Sequence, residues 1–146
     1  MKITSQCKSL LFTGLLLASL FGTSAHAGIA VIVHPGSGVD SLSVSDVKKL
    51  FLGKRKKLPD GKKAIPVDQA EGSAIRADFG KKVLGKSADQ LKAYWTKIIF
   101  SGKGSPPREL ADDGAVKAYV ADNPGAIGYI DSGSLDSSVK AVLKVE

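Results

Sequence analysis

The chain has 146 residues, 43% of them hydrophobic and 24% charged, with 21 Lys and Arg against 14 Asp and Glu and a formal charge of +7. That length suits one domain with a modest core, and one Cys with two His excludes a thiolate metal cluster. The basic balance favours small anions or anionic envelope surfaces; with no aromatic-rich basic stripe, it gives no ground for a nucleic-acid partner.

The N-terminus opens on Lys2 and Lys8, continues through the apolar run Leu10 to Phe21 and ends on the small-x-small triplet Ala25-His26-Ala27. This order of charged, apolar and small residues predicts a secretory signal peptide over 1–27, cleaved before Gly28, and hence a periplasmic protein. The alternative is a membrane anchor, but the run is short of the about 20 apolar residues a spanning helix needs. Cys7 lies upstream of the run, so it is not placed for lipidation at the cleavage point. Loss of Lys2 and Lys8 takes the balance from +7 to +5, and the mature part, 28–146, has no Cys.

Ile29 to Val33 is apolar on both faces, as in a central strand, and Pro35-Gly36-Ser37-Gly38 ends it. Ser43 caps a predicted helix with Val44, Val47, Leu50 and Phe51 on one face, stopped by Gly53. The basic stretch Lys54-Arg55-Lys56-Lys57 reads as an exposed turn before a short strand at Ala64 to Val67. Gly72-Ser73 begins a helix with Ile75, Phe79 and Val83 on one face, ended by Gly85. Ser87 and Gln90 form a capping box for a helix carrying Leu91, Tyr94, Trp95, Ile98 and Ile99.

Ser101 to Arg108 reads as a Gly- and Pro-rich loop, and Asp112 or Asp113 as the cap of a helix through Val116, Tyr119 and Val120. Asn123-Pro124-Gly125 is a turn; Ala126 to Ile130 and Val139 to Val145 are strands. Strands interleaved with helices predict an α/β fold with a mixed, mainly parallel sheet flanked by helices. The expected core includes Phe51, Phe79, Trp95, Ile98, Ile127 and Tyr129.

No enzyme signature is present. There is no Gly-x-Ser-x-Gly elbow and no H-x-x-H or E-x-x-H spacing. His34, alone in the mature part, reads as structural, and the adjacent pair Asp112-Asp113 reads as a helix cap. The expectation is a non-enzymatic protein with no cofactor and no metal.

Ile65 to Phe79 runs strand, loop, helix and delivers Gly72, Ser73 and Ala74 to a helix start. N–H groups there lack intrahelical partners and face the positive end of the helix dipole, so the loop could cradle an oxyanion. Equally, Ser73 could do no more than cap the helix.

This segment resembles the strand–G-S-G-T–helix stretch of the phosphate-binding proteins of ABC transporters, of the type 2 periplasmic binding-protein superfamily. Three further stretches are similar to that family in order. They are Ile29 to Val33 with Leu42-Ser43, then Leu50-Phe51-Leu52-Gly53-Lys54, then Asn123 to Ile130, the last like P-G-[SA]-I-G-Y-V. Tyr94-Trp95, Phe100, Gly102, Gly104 and Pro106-Pro107 resemble its short, single-lobe members.

The resemblance implies one periplasmic-binding-protein-like lobe over 28–146, with ligand-binding positions at Gln69, Gly72, Ser73, Ala74, Ile75 and Arg76. It also implies phosphate or another small oxyanion as ligand and an ABC transporter as partner. Gln69 stands where the family has Arg, and Gly72-Ser73-Ala74-Ile75 where it has G-S-G-T. Gln69→Arg with Ile75→Thr would on this view tighten phosphate binding. A lone lobe supplies half a cleft, so tight binding would require a partner or a homodimer. The competing expectation is a ligand-free interaction protein docking on an envelope sensor or transporter.

Overall fold

A computed structural model describes residues 28–146; the expected leader lies outside the described residues. Among these, five strands form one sheet in the order β3-β2-β4-β1-β5. The strands are β1 (Ile29–Val33), β2 (Ile65–Gln69), β3 (Arg108–Leu110), β4 (Ala126–Asp131) and β5 (Lys140–Val145). Four helices flank them: α1 (Val44–Phe51), α2 (Ala74–Phe79), α3 (Ala88–Phe100) and α4 (Asp113–Asp122). This is the α/β architecture expected.

The sheet is mixed, with parallel and antiparallel pairings in equal number. β2 runs parallel to β3 and β4, while β1 is antiparallel to both β4 and β5. Antiparallel pairing of β1 with the two C-terminal strands occupies both of its edges, and a core on each side of the sheet covers both of its faces. All five residues from Ile29 to Val33 are buried, which is why the segment reads as an unbroken apolar run.

Side chains alternate across that strand into two cores. Val31 and Val33 join Phe51, Phe79, Ile127 and Tyr129 beneath α1, α2 and α3. Ala30 and Ile32 join Val67, Val116, Val120 and Ile130 beneath α4. In the first core, Phe79 stacks on Tyr129 with centroids 3.9 Å apart and meets Phe51 edge-on at 4.8 Å. In the second, a Cβ on Gly128 would lie 2.6 Å from Val116 Cγ1, so α4 sits as close to the sheet as it does because residue 128 has no side chain.

Local signals place the helix starts. The side chains of Ser43, Ser73, Ser87 and Asp112 each accept an N–H in the first turn of the helix that follows. Ser87 and Gln90 complete the capping box, and Asp112 rather than Asp113 caps α4. The helix expected to run to Gly85 is α2 followed by a π-helical turn, Gly80–Leu84. His34 Nδ1 accepts the Gly36 N–H at 2.9 Å, a turn-forming bond in line with a structural role.

The structure differs from expectation in two places. Arg108, read as the end of a loop, begins the edge strand β3; its pairing with β2 creates the strand, since three largely polar residues carry no apolar period of their own. Trp95 and Ile98 are half-buried rather than core. Only Leu91 of α3 is buried, and the helix leaves Ile99 and Phe100 52% and 86% exposed. Helical periodicity shows that α3 has an apolar face but not how much of it the sheet covers.

Candidate functional site

The chain leaves β2 through α2 and α3 on one face of the sheet and leaves β3 through α4 on the other. Adjacent parallel strands whose exits go to opposite faces leave a crevice at their carboxyl ends, the usual ligand position in an open α/β sheet. A cavity of about 340 Å3 opens there. Asp68 of β2 and Glu109 of β3 contribute to its polar end, with Glu71, Gly72, Ser73, Ala74 and Arg76. Leu84, Leu91, Trp95, Ile99, Pro106 and Pro107 supply apolar wall, and Lys92 also reaches it.

Four of the six positions singled out in the sequence therefore meet at one cavity. Gly72 has φ +86°, which lets the chain reverse after β2, and nothing lies near enough to meet a side chain there; the requirement is conformational. Ser73 builds the loop through three bonds. Its N–H donates to Ala70 O at 3.2 Å, its carbonyl accepts Ala77 N–H at 3.2 Å, and its Oγ accepts Arg76 N–H at 3.3 Å. The remaining first-turn donors belong to Ala74 and Ile75.

The other two positions face elsewhere. Gln69 is 3% exposed, and its Nε2 donates to Asp113 Oδ1 at 2.6 Å and to Tyr129 O at 3.1 Å. Both amide protons thus tie β2 to β4 and to the start of α4. Asp113 Oδ2 further accepts Asp131 N–H and Ser134 Oγ–H, so this is a closed structural network. Ile75 is 5% exposed and packs in the first core with Phe79. Its helical spacing from Phe79 is that of a core face, which outweighs its place in the G-S-G-T comparison.

Arg76 is the guanidinium of the site. Its Nη1 donates to Glu109 Oε1 at 2.6 Å and to Gln69 O at 2.9 Å, and its Nε lies 3.5 Å from Asp68 Oδ2. Asp68 also accepts the Tyr129 hydroxyl and the Gln69 N–H. Burial pushes the Asp68 carboxyl above its usual range, and the Tyr129 bond, the Arg76 charge and the Gln69 N–H only partly offset this. The Tyr129 phenol is held well above its ordinary value by burial and then by the Asp68 charge. The place of Asp68 and Glu109 at the cavity was not visible in the sequence, because Glu109 reaches it only through the pairing of β3 with β2. For Asp68, its place one residue before Gln69 was the one available signal.

Fold and site together define an α/β lobe with its candidate site at a switch point, and the comparisons match it to part of larger proteins. The chain is 31% identical over 129 residues to the phosphate-binding protein PstS of Bacillus subtilis (strain 168), covering 84% of this chain and 37% of that protein. A Clostridium perfringens protein described as a phosphate ABC transporter substrate-binding protein, solved with bound phosphate, is 28% identical. It matches with a TM-score of 0.63 over 79% of this chain and 44% of its own. An ABC-type phosphate transport receptor from Vibrio cholerae shares the fold at a TM-score of 0.63 and 22% identity over 79% and 45%. No family model matches the chain. The resemblance read from the motifs thus holds in sequence and in fold, and the chain spans less than half the length of each of these relatives.

Proposed function

We propose that this chain is an exported, non-enzymatic solute-binding lobe that takes phosphate or a related oxyanion weakly at the carboxyl ends of β2 and β3. Gly72, Ser73, Ala74 and Arg76 form the contact. The observation that carries this reading is the meeting of the Gly72–Ala74 loop and the Arg76 guanidinium at one cavity, in the segment that resembles phosphate-binding relatives. Residues 1–27 act as the cleaved leader and 28–146 as the lobe, working with an ABC transporter of the envelope.

Bonds from backbone N–H groups to a charged ligand contribute about 1.5–3 kcal/mol each. Two or three of them, less the cost of immobilising the ligand, give an affinity on the order of millimolar. The test is a chemical-shift titration with inorganic phosphate. Saturable shifts at the Ala74 and Ile75 amides in the millimolar range are expected; an absence of shifts there would sink the ligand. Intact mass of protein from the periplasmic fraction should begin at Gly28, and a product retaining Cys7 would overturn the leader.

A second reading is an interaction protein that uses this same face to dock on a sensor or transporter. It is favoured by the apolar share of the cavity wall and by Phe100, 86% exposed at the end of α3 next to wall residue Ile99. Silence towards phosphate would select it.

A further inference from the structure

The Arg76 guanidinium, the group best suited to an oxyanion in this cavity, is already held by two carboxylates, and the two are held very differently. Asp68 lies on β2, a strand paired on both sides, and is fixed by the Tyr129 hydroxyl and the Gln69 N–H as well as by Arg76. Glu109 lies on β3, the three-residue edge strand, and its side chain is 50% exposed. It nonetheless makes the shorter bond to Arg76, 2.6 Å against 3.5 Å. Arginine binds carboxylates and phosphates alike through adjacent donors of one fork, and Glu109 occupies Nη1.

We infer that Glu109 is a releasable latch on Arg76: it competes with the incoming oxyanion for the guanidinium and swings towards solvent when the anion binds. This deepens the phosphate reading and rests on it. Weak binding then has a cause beyond the Gln at position 69. The segment retains a guanidinium, seven residues further along at Arg76, but the edge strand masks it. Asp68 stays in place and orients Arg76 throughout.

The experiment titrates inorganic phosphate, at fixed pH and ionic strength, into the natural protein and three variants: Glu109→Gln, Glu71→Gln and Arg76→Gln. Glu71 lines the same cavity and, among the described residues, is not one of the two carboxylates bonded to Arg76. It therefore controls for simple loss of negative charge. Glu109→Gln should tighten binding by about fivefold, the upper range for a partly exposed ion pair. Glu71→Gln should tighten it by less than about twofold, since its charge is screened and makes no direct bond. Arg76→Gln should lose binding.

Unchanged affinity in Glu109→Gln, with the natural protein still binding, overturns the latch and leaves the phosphate reading standing. An equal gain in Glu71→Gln also overturns it, because the effect would then be bulk electrostatics. Retained binding in Arg76→Gln removes Arg76 as the receptor. No binding by any of the four proteins overturns the phosphate reading and the latch with it.

Discussion

The β1–β4 pair and the β2–β3 pair lie in one sheet but are built from opposite materials. From Ile29 to Val33 and from Ala126 to Ile130, every residue is buried, and apart from Asp131 opposite Ile29 the Cα partners are Ile, Val, Ala, Gly and Tyr. At the carboxyl ends of β2 and β3 stand Asp68, Gln69 and Glu109, with Arg76, Asp113 and the Tyr129 hydroxyl bonded among them. Tyr129 belongs to both regions: its ring stacks on Phe79, and its oxygen bonds Asp68. The difference separates two tasks. Non-directional burial holds the lobe together, while the directional groups are gathered at one end of two parallel strands, where Asp68, Glu109 and Arg76 line the cavity.

If stability resides in the first region, the largest effect should come from Phe79→Ala. Phe79 is 1% exposed and contacts the rings of both Phe51 and Tyr129. Its truncation should cost about 3–5 kcal/mol, read from the urea midpoint with an unchanged slope. A loss of less than about 1 kcal/mol, the scale of an ordinary surface change, would break the division.

The same division governs what could be read in advance. The apolar region was legible because burial writes itself into the sequence as unbroken runs and 3.6-residue spacing: β1, β4, the capping serines and the core roles of Phe51, Phe79, Ile127 and Tyr129 all follow from such patterns. The polar end was half legible. Gly72, Ser73, Ala74 and Arg76 lie on one continuous segment whose loop and cap signals are local. Glu109 is 33 residues from Arg76, and only the pairing of an edge strand without its own period brings the two together. Trp95 was placed in the core because spacing gives the direction of a face and not the depth of its burial.

Ile75 sharpens the boundary between the regions. By its alignment with a hydroxyl-bearing position it should face the ligand; by its 5% exposure and its place among core residues it should not. Ile75→Thr removes a buried methyl group and buries a hydroxyl, so it should cost about 2 kcal/mol. Phosphate affinity should not change. A gain in affinity at little cost in stability would place Ile75 on the site side.

Trp95→Ala should be milder. The indole is half-buried on the cavity wall and meets Tyr94 edge-on at 5.1 Å. A loss of about 1 kcal/mol is expected, well below that of a core aromatic. The natural protein's tryptophan fluorescence should respond to an external quencher. A cost like that of Phe79→Ala would show that α3 packs more deeply than its exposed face indicates.

The smallest effect tests the polar end by pH. Burial raises the Asp68 carboxyl above its ordinary value of 3.8. A group whose folded pKa exceeds its unfolded one contributes stability that is fully present below the unfolded value and is lost as pH rises through the folded one. Asp68→Asn keeps an oxygen to accept the Tyr129 hydroxyl but cannot titrate. Denaturation midpoints measured upwards from the ordinary carboxyl value of 3.8 should therefore show the variant gaining on the natural protein as pH rises and levelling off once Asp68 is ionised. The lowered carboxyls of Asp40, Asp46, Asp60 and Asp136 are present in both proteins and cancel in the difference. Parallel curves would mean that Tyr129, Arg76 and the Gln69 N–H fully offset the burial of Asp68. The polar end would then be as settled as the apolar one, and the contrast between the two regions would be one of composition alone.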